Sequence, residues 1–361
     1  MRSAFLHPGD LRWSALLEEV PHDAYHLPGY ALLCAGQEHA RAMAFWAEED
    51  DAALLIPLLL RPVPAQLQAP DGLQDAVSPY GYPTPLLRGE PGPVHARLFA
   101  RFVEAGAAAG LVTAFLRLHP LLPLPRALLP EEATRVERGH TLYADLRQDW
   151  TALERGMRAG CRYDVRRLAR EGFHVRFDQW EDYPTFAAMY RATMARVGAA
   201  EHYLFSDGYF RGLRLALGEH LHLGTVSAAD GTPAAGALFF ETCGVVQYHL
   251  SGTAAPFVRQ APTKLLLHAA LRWAQARGDH LFHLGGGVGS RADSLSHFKA
   301  GFSEQRASFA TVQVVLQPRR YQELLRRWQA LAGAHGEAEE AYFPRYRQPL
   351  PAQPQAADAV P

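Results

Sequence analysis

The sequence predicts an α/β fold built on a mixed sheet, and three observations carry that expectation. From residue 173 onward, apolar periodicity and turn residues give the order β-α-α-β-β-β-α-β-loop-β. That order does not alternate strictly, so it excludes a doubly wound parallel sheet. The turn Ala229-Asp-Gly-Thr232 separates two strand-like runs and reads as a hairpin. Finally, 361 residues at 48% hydrophobic content exceed what one ordinary core needs, which suits two domains.

The elements follow in chain order. Tyr30 to Cys34 reads as a short strand, and Glu38 to Ala47 fits a helix or an edge strand equally. Ala53 to Leu60 is a buried strand. Val77 to Leu86 is a loop stiffened by Pro79, Pro83, Pro85 and Gly81. Val94 to Gly110 is an amphipathic helix stopped by glycine. Val112 to Leu118 is a strand, Pro120 to Pro130 a loop, and Thr141 to Leu146 another strand. Thr151 to Gly172 reads as one helix dense in arginine. Phe173–Phe177 is a strand, followed by helices at Tyr183–Arg196 and Ser206–Gly218. Strands follow at Leu221–Ala228, Ala234–Thr242 and Val245–Ser251. Thr263 to Gly278 is a long helix, Leu281 to Leu284 a strand, and Phe309 to Leu316 a strand that closes the sheet. Pro318 to Ala332 is a helix, and the Pro/Ala/Gln-rich tail from Pro351 is expected to be disordered.

Composition narrows the function. Thirty-six basic against 37 acidic residues argue against a nucleic-acid coat or a membrane-surface protein. The cysteines, Cys34, Cys161 and Cys243, are too few and too far apart for a zinc site or a disulfide framework. They read as small core residues in a reducing compartment. No signal peptide is visible, and the apolar run Ala52–Leu60 is too short to span a bilayer, so a cytoplasmic protein is expected. The 17 histidines form no His-Glu-x-x-His pattern, so no metal is implied. Thirty-four of the 36 basic residues are arginine. The two exceptions, Lys264 and Lys299, mark places where a compact ammonium on a flexible stem differs from a planar guanidinium.

Several stretches together resemble a known family. They are Arg158-Ala-Gly-Cys-Arg-Tyr-Asp-Val-Arg-Arg-Leu-Ala-Arg-Glu-Gly172, Ala234–Phe240 with Val246–Thr253, and Leu284-Gly-Gly-Gly-Val-Gly289 with Phe298-Lys-Ala-Gly-Phe302. In the first half Ser78–Tyr82 and Phe115–His119 fit too. The chain is similar over residues 20 to 320 to the Fem-type branch of the GNAT acyltransferase superfamily. The resemblance implies two tandem GNAT-like domains, each a mixed, mostly antiparallel sheet flanked by helices. The expected division is residues 1–147, residues 148–320, and a C-terminal helix with tail over 321–361. It implies transfer of an amino acid from aminoacyl-tRNA to an amine of a peptidoglycan precursor, with no bound cofactor and only transient membrane-surface contact. Two alternatives stand beside it: an acetyl-CoA-dependent N-acyltransferase acting on a sugar or small amine, and a non-catalytic binding module. Arg259-Gln-Ala-Pro-Thr-Lys264 lies where acetyl-CoA enzymes carry a glycine-rich pyrophosphate turn. Its lack of glycines and its Pro262 favour a donor other than CoA.

Aminoacyl transfer needs an amine held near an activated ester, a stabilised oxyanion and an exit for a proton. The resemblance places Lys299 at the family's functional lysine, where its ammonium would face the oxyanion. Asp293 either orients that lysine or caps a turn. Gly286 and Gly287 let backbone approach a ligand, and Phe298 precedes the lysine. Tyr80 and Tyr82 either line an acceptor groove or pack at the core edge. Tyr190, Tyr248, His249 and Ser251 are further candidates for the substrate site. Arg162 and Arg166, one helical turn apart, could grip phosphates or form a solvated helix face. Arg259 and Lys264 are candidates for the donor site.

Overall fold

The computed structural model describes residues 1–287, 293–333 and 342–351. Gly289 and the tail beyond Pro351 lie outside them. The first half runs β1 (Arg2–Leu6), α1 (Leu11–Glu19), α2 (Pro28–Gln37), β2 (Arg41–Glu49), β3 (Ala52–Pro62), β4 (Gln74–Val77), β5 (Leu86–Arg88), α3 (Pro93–Ala108), β6 (Leu111–Arg117) and β7 (Ala133–Asp145). The second half runs α4 (Trp150–Gly156), α5 (Ala159–Arg170), β8 (His174–Phe177), α6 (Tyr183–Arg196), α7 (Asp207–Leu217), β9 (Leu221–Ser227), β10 (Pro233–Thr242), β11 (Val245–Thr253), α8 (Thr263–Arg277), β12 (Leu281–Gly285), α9 (Ser294–Lys299), β13 (Arg306–Val315) and α10 (Pro318–Ala332).

The fold is mixed α/β with one large sheet flanked by helices, as expected. Apart from β5 in the first half and α4, α5 and α9 in the second, both halves repeat the order β-α-α-β-β-β-α-β-β: β1-α1-α2-β2-β3-β4-α3-β6-β7 and β8-α6-α7-β9-β10-β11-α8-β12-β13. Pairing is antiparallel except for one parallel pair in each half, β4 with β6 and β11 with β12. The repeats are cross-linked by their last strands. β13 pairs with β6 of the first half, and β7 pairs with β12 of the second. β7 and β13 also pair with each other, so the sheet is continuous. The strand expected to close the sheet therefore lies in its middle.

Hydrophobic burial welds the halves further. One cluster joins Tyr25, Tyr30, Ala31 and Trp46 of the first half to Phe186, Tyr209, Phe210, Leu213 and Phe240 of the second. Helices α2 and α7 pack together inside it. The second half's other face buries Leu168, Phe239, Leu266, Leu267 and Phe282 beneath α5 and α8. The first half's buries Phe45, Leu58, Phe99 and Phe102 beneath α3.

Several expectations are corrected. Tyr30–Cys34 lies in helix α2, not in a strand. Pro28 sits in its first turn and the buried positions Tyr30, Ala31, Cys34 and Ala35 have helical spacing, which a five-residue apolar window hides. Glu38 to Ala47 resolves into the turn that caps α2 and strand β2. The arginine-rich helix is broken at Met157–Arg158, where both residues are extended. The Arg158 N–H donates to Gly301 O, and the Arg162 guanidinium takes the carbonyls of Arg155 and Met157, which holds the break open. Cys243 is exposed in the β10–β11 turn, while Cys34 and Cys161 are buried. No described helix is long and apolar enough to cross a membrane.

Candidate functional site

Lys299 is the last residue of α9, and the helix exists to place it. Asp293 accepts from Ser296 N at 2.8 Å, and Ser296 Oγ accepts from Asp293 N at 2.9 Å, a reciprocal cap that fixes the start of a one-and-a-half-turn helix. Lys299 is only 8% exposed. Its Nζ donates to Gly286 O at 2.7 Å and lies 5.7 Å from the centre of the Tyr248 ring. Burial pushes its pKa down to about 8, and the charge of Asp293 offsets part of that shift. Gly285 has φ +78°, and a Cβ there would stand 3.1 Å from Lys299 Nζ. The end of β12 is thus shaped to admit the ammonium. Tyr248 donates to Ser251 Oγ, and Phe298 packs on Phe302 at 5.7 Å. Gly286, Phe298, Lys299, Tyr248 and Ser251 therefore come together, with Asp293 at the base of the helix and Gly287 on the turn that follows Gly286.

Other candidates serve the frame. Tyr190 is a core residue, 2% exposed, and its hydroxyl donates to Tyr203 O. Its assignment to the substrate site is corrected, because burial in the shared core leaves no face for a ligand. His249 packs on Phe240 at 4.1 Å, and burial lowers its pKa to about 3. Arg162 is spent on the broken helix. Arg166 is exposed, 3.9 Å from Glu154, in a shallow surface depression lined with Tyr163 and Arg170. Lys264 donates to Asp164 at 2.5 Å, which ties α8 to α5. Arg259 is exposed in the turn before α8. The start of α8 carries Pro262 without a side-chain cap, and Thr263 is buried against Thr253 at 2.9 Å.

A buried polar network at the junction escaped the sequence reading. Leu121 N and Leu122 N both donate to His119 Nδ1, so the ring proton sits on Nε2 and points at Asp23 Oδ2, 3.0 Å away. Gln247 Nε2 donates to the same oxygen at 2.6 Å, and His283 Nδ1 donates to Gln247 Oε1 at 2.6 Å. Asp23 and His119 come from the first half, Gln247 and His283 from the second. His119 and Gln247 lay in quoted stretches, but no local pattern marks any of the four as partners. Tyr82 covers the network, edge-on to Tyr25, His119, His283 and Phe309, and burial raises its pKa to about 12. Tyr80 is 47% exposed and meets Tyr203 of the second half at 6.4 Å.

The loop between these tyrosines depends on Gly81. Its φ is +106°, and a Cβ there would sit 2.3 Å from the Tyr25 ring. Gly81→Ala is expected to cost about 2–3 kcal/mol from strain and overpacking. Urea unfolding of the variant measures it, and a change below experimental error would refute the tight packing of this loop.

The sequence model of the acetyltransferase (GNAT) domain matches residues 155–300. No curated protein matches the chain. The fold is similar to the solved structure of FemX, at 13% identity and TM-score 0.65, covering 89% of this chain and 99% of that one. It is similar to L-PGS from Bacillus licheniformis, at 14% identity and TM-score 0.58, covering 89% and 97%. It is also similar to the C-terminal domain of a putative lysylphosphatidylglycerol synthetase from Agrobacterium fabrum, at 16% identity and TM-score 0.56, covering 84% and 90%.

Proposed function

We propose that this chain, an acyltransferase of the GNAT superfamily with a Fem-like fold, transfers an amino acid from aminoacyl-tRNA to an amine of a cell-wall precursor. The observation that carries the proposal is Lys299, a buried ammonium held by one backbone carbonyl and an aromatic face where β12 ends in glycines. The acceptor amine attacks the ester carbonyl. The carbonyl oxygen takes negative charge, which Lys299 stabilises at short range in a dry site. That attack forms the C–N bond; the tetrahedral intermediate then collapses as the C–O bond to the tRNA ribose breaks, and the amine proton leaves with the ribose oxygen. Likeness to FemX and to a named lysylphosphatidylglycerol synthetase supports an aminoacyl donor over a plain acetyl one. On this reading the work is cytoplasmic, on a soluble or transiently membrane-facing acceptor.

The second reading is a CoA-dependent N-acyltransferase, favoured by the acetyltransferase match. The start of α8 weighs against it, because Pro262 and the buried Thr263 stand where backbone donors would cradle a pyrophosphate. The test is transfer of radiolabelled amino acids from mixed charged tRNA to a UDP-linked muramyl peptide, with labelled acetyl-CoA in parallel. Label on the peptide from tRNA is the expected result. Label from acetyl-CoA alone would replace the first reading with the second.

A further inference from the structure

Arg117 closes strand β6 at the junction, and its charge is not neutralised. Its guanidinium stacks on Phe115 with 5.3 Å to the ring centre and donates once, to Ser78 O at 2.8 Å. Among the described residues no carboxylate lies within ion-pairing distance of it. The nearby carboxylates are already committed. Asp75 accepts from both Arg61 and Arg347, and Glu38 lies 3.5 Å from Arg61. Three guanidinium groups, those of Arg61, Arg117 and Arg347, therefore share two carboxylates, and the surplus falls on Arg117. Burial pushes its pKa below the usual arginine value. The groups facing it are Glu38, Arg61, Cys34 and Tyr80. A guanidinium has five donors in a fork that matches a carboxylate or a phosphate. One donor is used here, and half-exposed Tyr80, two residues beyond the Ser78 that accepts it, meets Tyr203 at the seam.

We propose that Arg117, with Tyr80 at its rim, is an oxyanion subsite for a phosphate or carboxylate group of the substrate. It rests on the proposed function only in that the oxyanion would belong to the acceptor. Binding can be measured without any turnover, so failure of one does not entail failure of the other. The alternative is that Arg117 merely braces the loop at Ser78.

The test is calorimetric titration of the full chain with inorganic phosphate and with acetate, using the wild-type protein, Arg117→Gln and Arg117→Lys. Wild type is expected to bind at least one anion. Arg117→Gln is expected to bind it about tenfold more weakly, and Arg117→Lys to fall between, because a point charge replaces a bidentate fork. Preference for phosphate over acetate would assign a phosphorylated group, and the reverse a carboxylate. Wild type binding neither anion, or Arg117→Gln binding both as wild type does, would overturn the subsite and leave the bracing role. If Arg117→Gln does not fold, Arg117→Lys alone decides: undiminished binding overturns the subsite.

Discussion

Replacing Lys299 with alanine is expected to lower acyl transfer by about 10²–10³-fold while the fold persists, the range seen when one preorganised oxyanion donor is removed. Arginine is not expected to rescue it. The ammonium already fills the space that the missing side chain of Gly285 leaves, since a Cβ there would stand 3.1 Å from it, and a larger planar guanidinium would be overpacked. Methionine separates role from packing. The pKa lowered from 10.5 to about 8 means that the folded state holds this charge at a cost of roughly 3 kcal/mol at pH 7. That cost is fully present below pH 8 and disappears as pH rises toward 10.5, where the unfolded side chain also loses its proton. Lys299→Met should therefore be more stable than wild type at pH 7 and equally inactive. Parallel urea titrations and turnover assays measure both. A Met variant that retained turnover would remove Lys299 from the chemistry.

The same shift gives turnover a pH signature. An ammonium at the oxyanion works only while protonated, so activity should fall as pH rises through about 8. A neutral amine acting as a base would make activity rise through that value. The sign of the slope distinguishes the roles, and the charged role is the one expected here.

What the sequence made legible follows from the range of the interactions involved. Helices α3, α6, α8 and α10 carry complete amphipathic patterns with local stops, and each was found within a residue or two. Strands β9, β10 and β11 are bounded by Asp230-Gly231 and Cys243-Gly244 and were found as well. Helix α2 was missed because five apolar residues do not distinguish period 2 from period 3.6. Strand β7 was read from Thr141 onward. Its first eight residues, from Ala133, include charged and exposed positions that only pairing with β13 makes a strand. The exchange of β7 and β13 between the halves is a matter of partner choice, and no window of sequence holds it. The site divides the same way. Composition singled out Lys264 and Lys299, and the resemblance at Phe298–Phe302 chose Lys299. Asp23, Gln247 and Arg117 matter because of partners 36 to 224 residues away or because of partners already taken, and no spacing encodes that.

Three buried histidines should make the protein labile to acid well above the range where carboxylates titrate. His26, His249 and His283 are buried and uncharged. Burial lowers His26 to about 4 and His249 to about 3, and it drives His283 well below 6.5. In the unfolded chain all three take up protons below about pH 6.5. The folded state then binds fewer protons than the unfolded one, so stability falls as pH drops, by up to about 4 kcal/mol per pH unit for three sites. Against a typical total of about 5–15 kcal/mol, unfolding near pH 5 is expected. Asp23 acts later in the titration. Burial alone would raise its pKa, but the hydrogen bonds from His119 and Gln247 hold it below 3.8, so its contribution is lost only as pH falls through that lower value. Urea midpoints from pH 8 to pH 4 measure the slope. His283→Gln should flatten it by about a third, because one of the three proton sites is gone. Asp23→Ala should instead lower stability at every pH by about 3–5 kcal/mol, because the Nε2–H of His119 and the amide of Gln247 then lose their shared acceptor in the core. A flat profile from pH 7 to pH 5 would show that these histidines take up protons without unfolding the protein, and that the seam between the halves is wetter than its packing implies.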